Sequence, residues 1–396
     1  MKNIILSFGA KLLYGLHWFS PVILLYFNDV IGLTVKEFFF LQAYFNFCVF
    51  ALEIPTGYIA DKISRKLSLL MSGIAACAGL YIMHIAYGLT HVIIAETLLA
   101  LHVALNSGAF ESLFFDYHDK SKDKTLKKKY TQNLSYFNNI YLVGILASTL
   151  LGSVMAAHIG LEYIYLLTLI TAVFATICVY FMQDIKSTEV QSEVQRNNSI
   201  FKSVFELLHS KKTVLMLALD LALVPAIAFM GIWLYQPFLI DFEVSVLLFG
   251  VVHAGMVVCQ LIINYFVNHY KGNLRTYVQN TQILLTVLFV ILAFSPFVWV
   301  SSICLMLIVG IGMTRGTYLN AELQSHLDSS FRSTFFSGVS MLNQLARMII
   351  TFFLGFLVSI SPNFAAFAMA IIMFVLYFVF NKYESQMLDL ESKKII

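Results

Sequence analysis

Long apolar stretches alternate with short polar segments along the whole chain. Residues 67–95, 244–270 and 276–314 contain no Asp, Glu, Lys or Arg. A helix needs about 20 apolar residues to cross a hydrocarbon core of about 30 Å, so each stretch is long enough to span a membrane. The third stretch is nearly twice the required length and has Pro296 near its middle, which predicts two helices joined by a tight turn.

The same pattern over all 396 residues predicts an all-α membrane protein with twelve transmembrane helices. We place these spans, counted from the first to the twelfth, at residues 4–28, 36–60, 67–88, 90–117, 131–157, 160–183, 213–240, 245–269, 276–297, 299–323, 333–359 and 361–382. The longest polar segment, 184–212, predicts a cytoplasmic linker. It separates an N-terminal six-helix half, 1–183, from a C-terminal six-helix half, 213–383, which is followed by a cytoplasmic tail at 384–396.

The two halves resemble each other weakly at a shift of about 207 residues, which predicts two six-helix pseudo-repeats. Glu53 in the second span aligns with Gln260 in the eighth. Gly108 in the fourth span aligns closely with Gly316 in the tenth. Two helical repeats with a site at mid-depth between them are a common plan of secondary transporters.

Basic residues collect on one side of the predicted membrane. The connections on that side hold Lys62, Arg65, Lys66, six lysines between Lys120 and Lys129, Lys186, Arg196, Lys202, Lys211, Lys212, Lys271, Arg275 and Arg332. The other connections hold only Lys36, among the acids Asp29, Glu37, Glu162, Asp241 and Glu243. The positive-inside rule makes the basic side cytoplasmic, so both termini are expected inside. We therefore expect an integral protein of the inner (cytoplasmic) cell membrane.

Composition narrows the function classes. Apolar residues make up 59% of the chain and charged residues 12%, about half the usual charged share. The five cysteines all lie in apolar runs, without the spacing of a metal site. The sequence has no ATP-binding loop, no metal-ligand cluster and no hydrolytic triad in a polar domain. We therefore expect that the protein is not an enzyme and uses no cofactor, metal or nucleic-acid partner. We also expect it to be a monomer surrounded by lipid.

One short motif points to a family. The segment from Gly57 to Lys66, with Asp61, Arg65 and Lys66 in place, resembles the loop between the second and third helices of the major facilitator superfamily. Ser64 stands where a second glycine is usual. The preceding segment 53–56, and the segment running from Ser107 to Asp116 in the fourth span, resemble the bacterial drug-exporter-like branch of that superfamily. Where many of its proton-coupled exporters carry an arginine early in the fourth helix, this chain has Glu96.

The resemblance implies a latch at the inner gate. It would consist of Gly57, which permits close helix approach, with Asp61, Arg65 and Asp116, and it would hold the two halves together while the inner side is closed. Arg65 lies one turn beyond Asp61 and could reach Asp116 at the inner end of the fourth span. The alternative is that Lys62, Arg65 and Lys66 serve only to fix orientation.

Ionisable groups at membrane depth are costly and indicate function. At about 1.5 Å rise per residue, one layer roughly 9–12 Å from the inner boundary contains Lys11, Glu53, Glu111, Asp220 and Arg315. The resemblance implies that the first, fourth, seventh and tenth spans line a central cavity. The two bases can neutralise only two of the three acids, and a buried carboxylate without a partner favours its protonated form.

We expect that leftover acid to couple transport to protons. Asp220 is the first choice, because it lies at the depth of Arg315 and shortly before Pro225. Glu111 is the second choice, and Glu53, next to the loop motif, is the third. The alternative for each acid is a static ion pair between helices.

Polar and aromatic residues near mid-depth predict a substrate site. They are His17, Trp18, His102, Asn106, Asn138 and Asn343. A small-molecule site combines aromatic walls with a few hydrogen-bonding groups. The alternative is ordinary hydrogen bonding between helices, which suffices to explain any single Asn.

Together these patterns favour a secondary active transporter, an antiporter that couples efflux of an amphipathic small molecule to proton entry by alternating access. One alternative is a dedicated exporter, or an importer, of a metabolite such as a siderophore. A second alternative, from another class, is a membrane scaffold or sensor that does not transport.

The topology can be tested with single cysteines in a cysteine-free background. Cysteines in place of Lys127 or Ser192 should react with an impermeant maleimide only from the cytoplasmic side, because the predicted basic connections lie there. A cysteine in place of Glu243 should react only from outside and serves as the opposite control. Labelling of the Lys127 position from outside would contradict the twelve-helix register.

Overall fold

The fold is seen in a computed structural model that describes residues 2–119, 130–184, 212–270, 272–326 and 329–388. Every regular element within these ranges is helical. A chain in lipid must satisfy its backbone hydrogen bonds internally, and a helix does so within a single segment. The long apolar stretches of the sequence therefore fold into long helices.

Fourteen helices longer than five residues follow one another along the described chain. They are α1 Lys2–Tyr14, α2 Val35–Lys62, α3 Arg65–His84, α4 Leu89–Asn106, α5 Ala109–Asp119, α6 Tyr130–Ile159, α7 Ile164–Tyr180, α8 Lys212–Phe229, α9 Gly231–Asp241, α10 Val246–Asn268, α11 Leu274–Phe294, α12 Val298–His326, α13 Ser329–Ile360 and α14 Pro362–Leu388. Short helical turns lie at Ser20–Val22, Ile23–Leu25, Tyr26–Val30 and Leu161–Tyr163.

These helices account for the twelve predicted spans. Eleven segments of the described chain are long and apolar enough to cross a membrane. The remaining span is the first, which α1 and the short turns up to Val30 form in pieces. Large apolar side chains such as Phe174, Ile262 and Phe353 are exposed along the helices, as expected for surfaces that face lipid.

The first span is not the continuous helix that the apolar pattern predicted. α1 ends at Tyr14, and regular structure resumes only at Ser20. The cause is a close crossing with α6: a Cβ built on Gly15 would lie 2.6 Å from the Tyr141 carbonyl oxygen, and one on Gly144 would lie 2.7 Å from the Leu12 carbonyl oxygen. The glycines let the two backbones touch, so the end of α1 is held against α6 where the chain leaves its helix.

The fourth and seventh spans, predicted as single helices, are also interrupted. The fourth divides into α4 and α5 at Gly108, whose φ of 70° lies in the left-handed region that side chains rarely adopt. The seventh divides into α8 and α9 at Met230. Both interruptions lie inside apolar stretches. A glycine is the only sequence feature that marks the first one, and Met230 does not mark the second.

The chain forms two compact units. The first contains Met1–Thr34, Tyr44–Asn197 and Ser245–Ala254, and the second contains Val35–Ala43, Asn198–Val244 and Gly255–Ile396. The first unit has a core of aromatic rings, in which Phe114 and Phe137 stack at 4.3 Å between centroids. The core of the second unit includes Leu221, Leu319 and Phe335. Each unit therefore has its own apolar core.

Some predicted segments lie outside the described residues. They are the lysine-rich connection at 120–129, the linker from 185 to 211 and the last part of the tail, 389–396. The linker, the tail and the cytoplasmic orientation stay predictions.

The close crossing of α1 and α6 predicts a strong effect of one methyl group. Gly144→Ala should lower the unfolding temperature, because the added Cβ meets the Leu12 carbonyl and overpacking costs about 1–3 kcal/mol. Gly88→Ala is the matched control, because its backbone is extended and a Cβ there meets nothing within 4 Å. Thermal unfolding of the purified protein, followed by size-exclusion fluorescence, measures both. Equal unfolding temperatures would contradict the crossing.

Candidate functional site

The first unit holds a lysine–glutamate pair between α1 and α5. Lys11 Nζ lies 2.7 Å from Glu111 Oε1. The break at Gly108 restarts the helix at Ala109 and places Glu111 in its first turn, where a negative charge is favoured by the helix dipole. The Lys11 side chain is 14% exposed and that of Glu111 is 41% exposed. The pair is therefore shielded on the lysine side and open on the glutamate side.

Aromatic rings surround the lysine of this pair. Lys11 Nζ lies 4.9 Å from the ring centroid of Phe137, 5.4 Å from that of Phe110 and 5.5 Å from that of Tyr141. Ring faces attract cations, so the rings stabilise the charge together with Glu111.

The second unit holds a fully buried arginine–aspartate pair between α12 and α8. Arg315 Nη2 donates to Asp220 Oδ2 at 2.8 Å and to Oδ1 at 3.0 Å, and both side chains are 0% exposed. Arg315 Nε donates to Thr281 Oγ1 of α11 at 3.2 Å. Arg315 Nη1 is buried and has no hydrogen-bond partner in the described part of the chain. Removing one member of a buried pair leaves an uncompensated charge and costs about 3–5 kcal/mol.

The two pairs connect corresponding spans with opposite polarity. In the first unit the base is on the first span and the acid on the fourth. In the second unit the acid is on the seventh span and the base on the tenth. Each pair is neutral as a whole, so both satisfy the same requirement that a charge at membrane depth be compensated.

The expectation that the two bases leave one of the three acids without a neutralising partner stays a prediction. Glu111 and Asp220 are paired as above, and Glu53, which is partly buried on α2, also has an interaction partner. The sequence count considered only Lys11 and Arg315 as partners for the acids.

A third ion pair lies at the start of α3. Arg65 Nη1 lies 2.6 Å from Asp116 Oδ2 of α5 and 3.4 Å from the Ser112 carbonyl oxygen. Ser64, which replaces the usual glycine, caps α3: its Oγ accepts a hydrogen bond from the Leu67 amide at 3.0 Å. The contact expected between Arg65 and Asp116 is therefore present, and its role as a latch stays a prediction.

The other two predicted latch residues fare differently. Asp61 lies in the last turn of α2, and its side chain is outside the part that the structure describes. The role expected of Gly57, close approach between helices, stays a prediction, because a Cβ built on it meets no described atom within 4 Å.

Two predicted substrate residues lie in the interruption of the first span. The His17 ring stacks on Phe19, with 5.8 Å between centroids, and lies edge to face with Tyr141 at 6.0 Å. Trp18 Nε1 is buried without a hydrogen-bond partner among the described residues. Gly152 of α6 leaves no room for a Cβ beside the Trp18 carbonyl oxygen. The contact with Gly152 therefore holds the interruption against α6, and the Nε1 donor of Trp18 inside it has no described partner.

The remaining predicted substrate residues divide into two groups. His102 Nδ1 lies 2.8 Å from Ser72 Oγ, and Asn343 Nδ2 donates to the Ala222 carbonyl oxygen at 2.7 Å. These two use their polar atoms between helices, as the alternative interpretation expects. Asn106 Oδ1 is buried without a partner among the described residues, and the Asn138 side chain is exposed. Asn343 belongs to the second unit and the other five to the first.

Sequence reasoning missed two residues that contact these groups. Tyr141 lies against both Lys11 and His17, and Thr281 accepts a hydrogen bond from Arg315. A Tyr or Thr in an apolar span carries no signal of its own in the sequence. Only the packing of α6 and α11 brings these two to the charged pairs.

Comparisons with known proteins identify the class. The family model of the Major Facilitator Superfamily matches residues 5–351, so the chain belongs to that superfamily. It is accordingly an integral membrane transporter of the cell membrane, and not an enzyme. A search of curated proteins gives no match.

Solved transporters share the fold. A mutant of the nucleoside transporter NupG superimposes with a TM-score of 0.79 at 11% identity, covering 96% of this chain and 98% of the other. A POT family transporter in complex with a thioalcohol-conjugated peptide gives 0.71 at 12% identity, covering 97% of this chain and 96% of the other. At such identities the likeness shows the fold alone.

The Arg65–Asp116 contact can be measured by a double-mutant cycle. Arg65→Ala and Asp116→Ala should each lower the free energy of unfolding, and the double variant should lose less than the sum. The coupling energy expected for residues in contact is about 0.5–3 kcal/mol. Lys66→Ala, which removes the neighbouring base over the Tyr180 ring, combined with Asp116→Ala is the control pair and should be additive. Denaturation by SDS of the purified protein gives the free energies. Additivity of Arg65→Ala and Asp116→Ala would contradict an ion pair.

Proposed function

We propose that this transporter is a proton-coupled antiporter that exports an amphipathic small molecule by alternating access. The observation that carries the proposal is the fully buried, doubly hydrogen-bonded Asp220–Arg315 pair on the seventh and tenth spans. A proton-driven exchanger needs a group that is ionised in one state and protonated in another. In the state described here, Arg315 neutralises Asp220 and binds both its oxygens.

Pro225 provides a physical way to open this pair, because it lets α8 bend. Pro225 lies in α8 five residues after Asp220, and proline removes a backbone hydrogen bond where a helix can bend. α12 touches that point directly, because a Cβ on Gly316 would lie 3.0 Å from Pro225 Cγ. Movement at this contact would draw Arg315 away from Asp220. A carboxylate left alone at membrane depth is costly, and taking up a proton removes that cost.

Lys11–Glu111 is the second candidate for coupling. The Glu111 side chain is 41% exposed, against 0% for Asp220. Water weakens the attraction of an exposed pair, so breaking the Lys11–Glu111 pair costs less than breaking the buried one. The buried pair is therefore the better switch between two protonation states.

The interruption of the first span supports binding of an amphipathic ligand. Irregular backbone at membrane depth is tolerated where it is buried in protein or lines a cavity. Here it presents the rings of His17 and Phe19 beside Tyr141, and the unused Nε1 donor of Trp18. Aromatic walls with a few polar groups suit a molecule that is mostly apolar. A scaffold without transport would need no such unused donor and no buried ion pair of this cost.

The proposal can be tested in proteoliposomes. A ligand is first found by thermal stabilisation of the purified protein with amphipathic amines, carboxylate-rich chelators, nucleosides and dipeptides. The most stabilising compound, in labelled form, is then supplied to vesicles with an imposed pH gradient. We expect accumulation against the ligand gradient that collapses with a protonophore. Accumulation that is unaffected by the protonophore and requires sodium would contradict proton coupling, and stabilisation without any flux would indicate a sensor.

Asp220→Asn should separate coupling from binding. The amide mimics the protonated carboxyl group, so gradient-driven accumulation should fall to background while exchange of labelled for unlabelled ligand persists. Glu111→Gln is the matched control on the other pair and should retain more of the gradient-driven flux. Both measurements use the same vesicles, and thermal unfolding checks that the variants fold. Full uphill accumulation by Asp220→Asn would rule out this pair, and the same result for both variants would rule out the whole layer.

A further inference from the structure

One base at membrane depth has no acidic partner among the residues that the structure describes. Lys11, Arg65 and Arg315 each hold a carboxylate within 2.8 Å. Arg347, on α13 in the eleventh span, has no carboxylate partner in the described part of the chain. Its guanidinium lies over a ring instead, with Cζ 4.0 Å from the centroid of Phe229.

The ring does not use the hydrogen-bonding capacity of Arg347. A ring face attracts a cation but accepts none of the five N–H bonds of a guanidinium in the way a carboxylate does. Nε of Arg347 is buried and has no hydrogen-bond partner among the described residues. The Arg347 side chain as a whole is partly buried, so the guanidinium keeps at least one unused donor over the Phe229 ring.

A second unused donor belongs to a tryptophan that contacts the same phenylalanine. The Trp233 ring packs edge to face against Phe229, with 6.3 Å between centroids, and its Nε1 is buried without a partner among the described residues. Both aromatic residues flank the interruption at Met230, and Thr351 Oγ1 ties α13 to that point with a 3.5 Å contact to the Met230 sulfur. All of these residues belong to the second unit.

We propose that Arg347, Phe229 and Trp233 bind the anionic group of the transported molecule. The ligand would be a small molecule with a carboxylate or phosphate on an apolar, preferably aromatic, body. The two Nη groups of Arg347 would bind two oxygens side by side, which is the geometry that a guanidinium favours. Trp233 Nε1 would donate to a further acceptor, and the Phe229 ring would keep the guanidinium plane in place. This site rests on the proposed transport function and narrows its substrate from amphipathic to anionic and amphipathic.

The test is equilibrium binding of matched probes to the purified full chain in nanodiscs of phosphatidylcholine. 2-Naphthoate and 2-naphthyl phosphate carry the anionic group, and 2-naphthamide is the neutral counterpart. Calorimetric titration should give a Kd for at least one anion that is tenfold or more below that of the amide. Arg347→Gln should raise the anion's Kd at least tenfold and leave the amide unchanged. Trp233→Phe keeps a ring but removes the N–H, so it should raise the Kd of the anion by a smaller factor. This variant provides the test if Arg347→Gln does not fold.

Lys36→Gln is the matched control variant. Lys36 is also a base over a ring in the second unit, with Nζ 4.4 Å from the Phe356 centroid, so its removal changes the charge equally. Its Kd for the anion should stay at the wild-type value. Equal Kd values of anions and amide for the wild type, or an unchanged Kd for both Arg347→Gln and Trp233→Phe, would overturn the proposal.

Added lipid distinguishes the two sources of such an anion. Nanodiscs with a share of phosphatidylglycerol should bind the naphthyl anion as tightly as those without it. The contrary result would be a Kd that rises in proportion to the phosphatidylglycerol content in the wild type but not in Arg347→Gln. It would overturn the substrate assignment, because a lipid headgroup would then be bound at Arg347. Equilibrium binding needs no proton gradient, so a negative result in this binding test does not bear on proton coupling. Proton coupling is tested separately by the Asp220 variant.

Discussion

A charge at membrane depth must be compensated by a neighbour, and this constraint organises the structure around its ion pairs. Moving an arginine or aspartate into the middle of a bilayer costs about 2.5–3.5 kcal/mol by membrane-insertion measurements. Asp220 and Arg315 meet that cost together, with both side chains fully buried and two hydrogen bonds between them. In the state described here, the pair therefore joins α8 to α12 at this depth. Lys11 and Glu111 impose the same constraint on α1 and α5.

Breaks in the helices place these charges. Glu111 lies in the first turn of α5 only because the chain turns at Gly108, and the end of α1 lies against α6 only because Gly15 and Gly144 have no side chains. Near the interruptions, the indole N–H groups of Trp18 and Trp233 have no hydrogen-bond partner among the described residues. Such groups are expensive in a static protein and useful in one that binds a ligand between two states. The aromatic groups proposed to bind ligand, such as Trp18 and Trp233, therefore lie at or near interruptions, whereas Asp220 and Arg315 lie within the continuous helices α8 and α12.

Much of the fold follows from the sequence, because lipid leaves a long apolar stretch little choice but to form a helix. Depth counting also put Asp220 level with Arg315, and Lys11 level with Glu111, before their contacts were known. The interruptions did not follow, since a glycine such as Gly15 looks the same in sequence whether it allows a crossing or ends a helix. Nor did the partner of Glu53 or the position of Arg347 over Phe229, because both depend on which helices are neighbours.

The central claim is that Asp220 changes its protonation state when its pair with Arg315 opens. Infrared difference spectroscopy of the reconstituted protein between neutral and acidic pH detects this directly, through the carbonyl stretch of a newly protonated carboxylic acid. We expect this band in the wild type and in Glu111→Gln, with loss of the band in Asp220→Asn. A band that persists unchanged in Asp220→Asn would contradict the account.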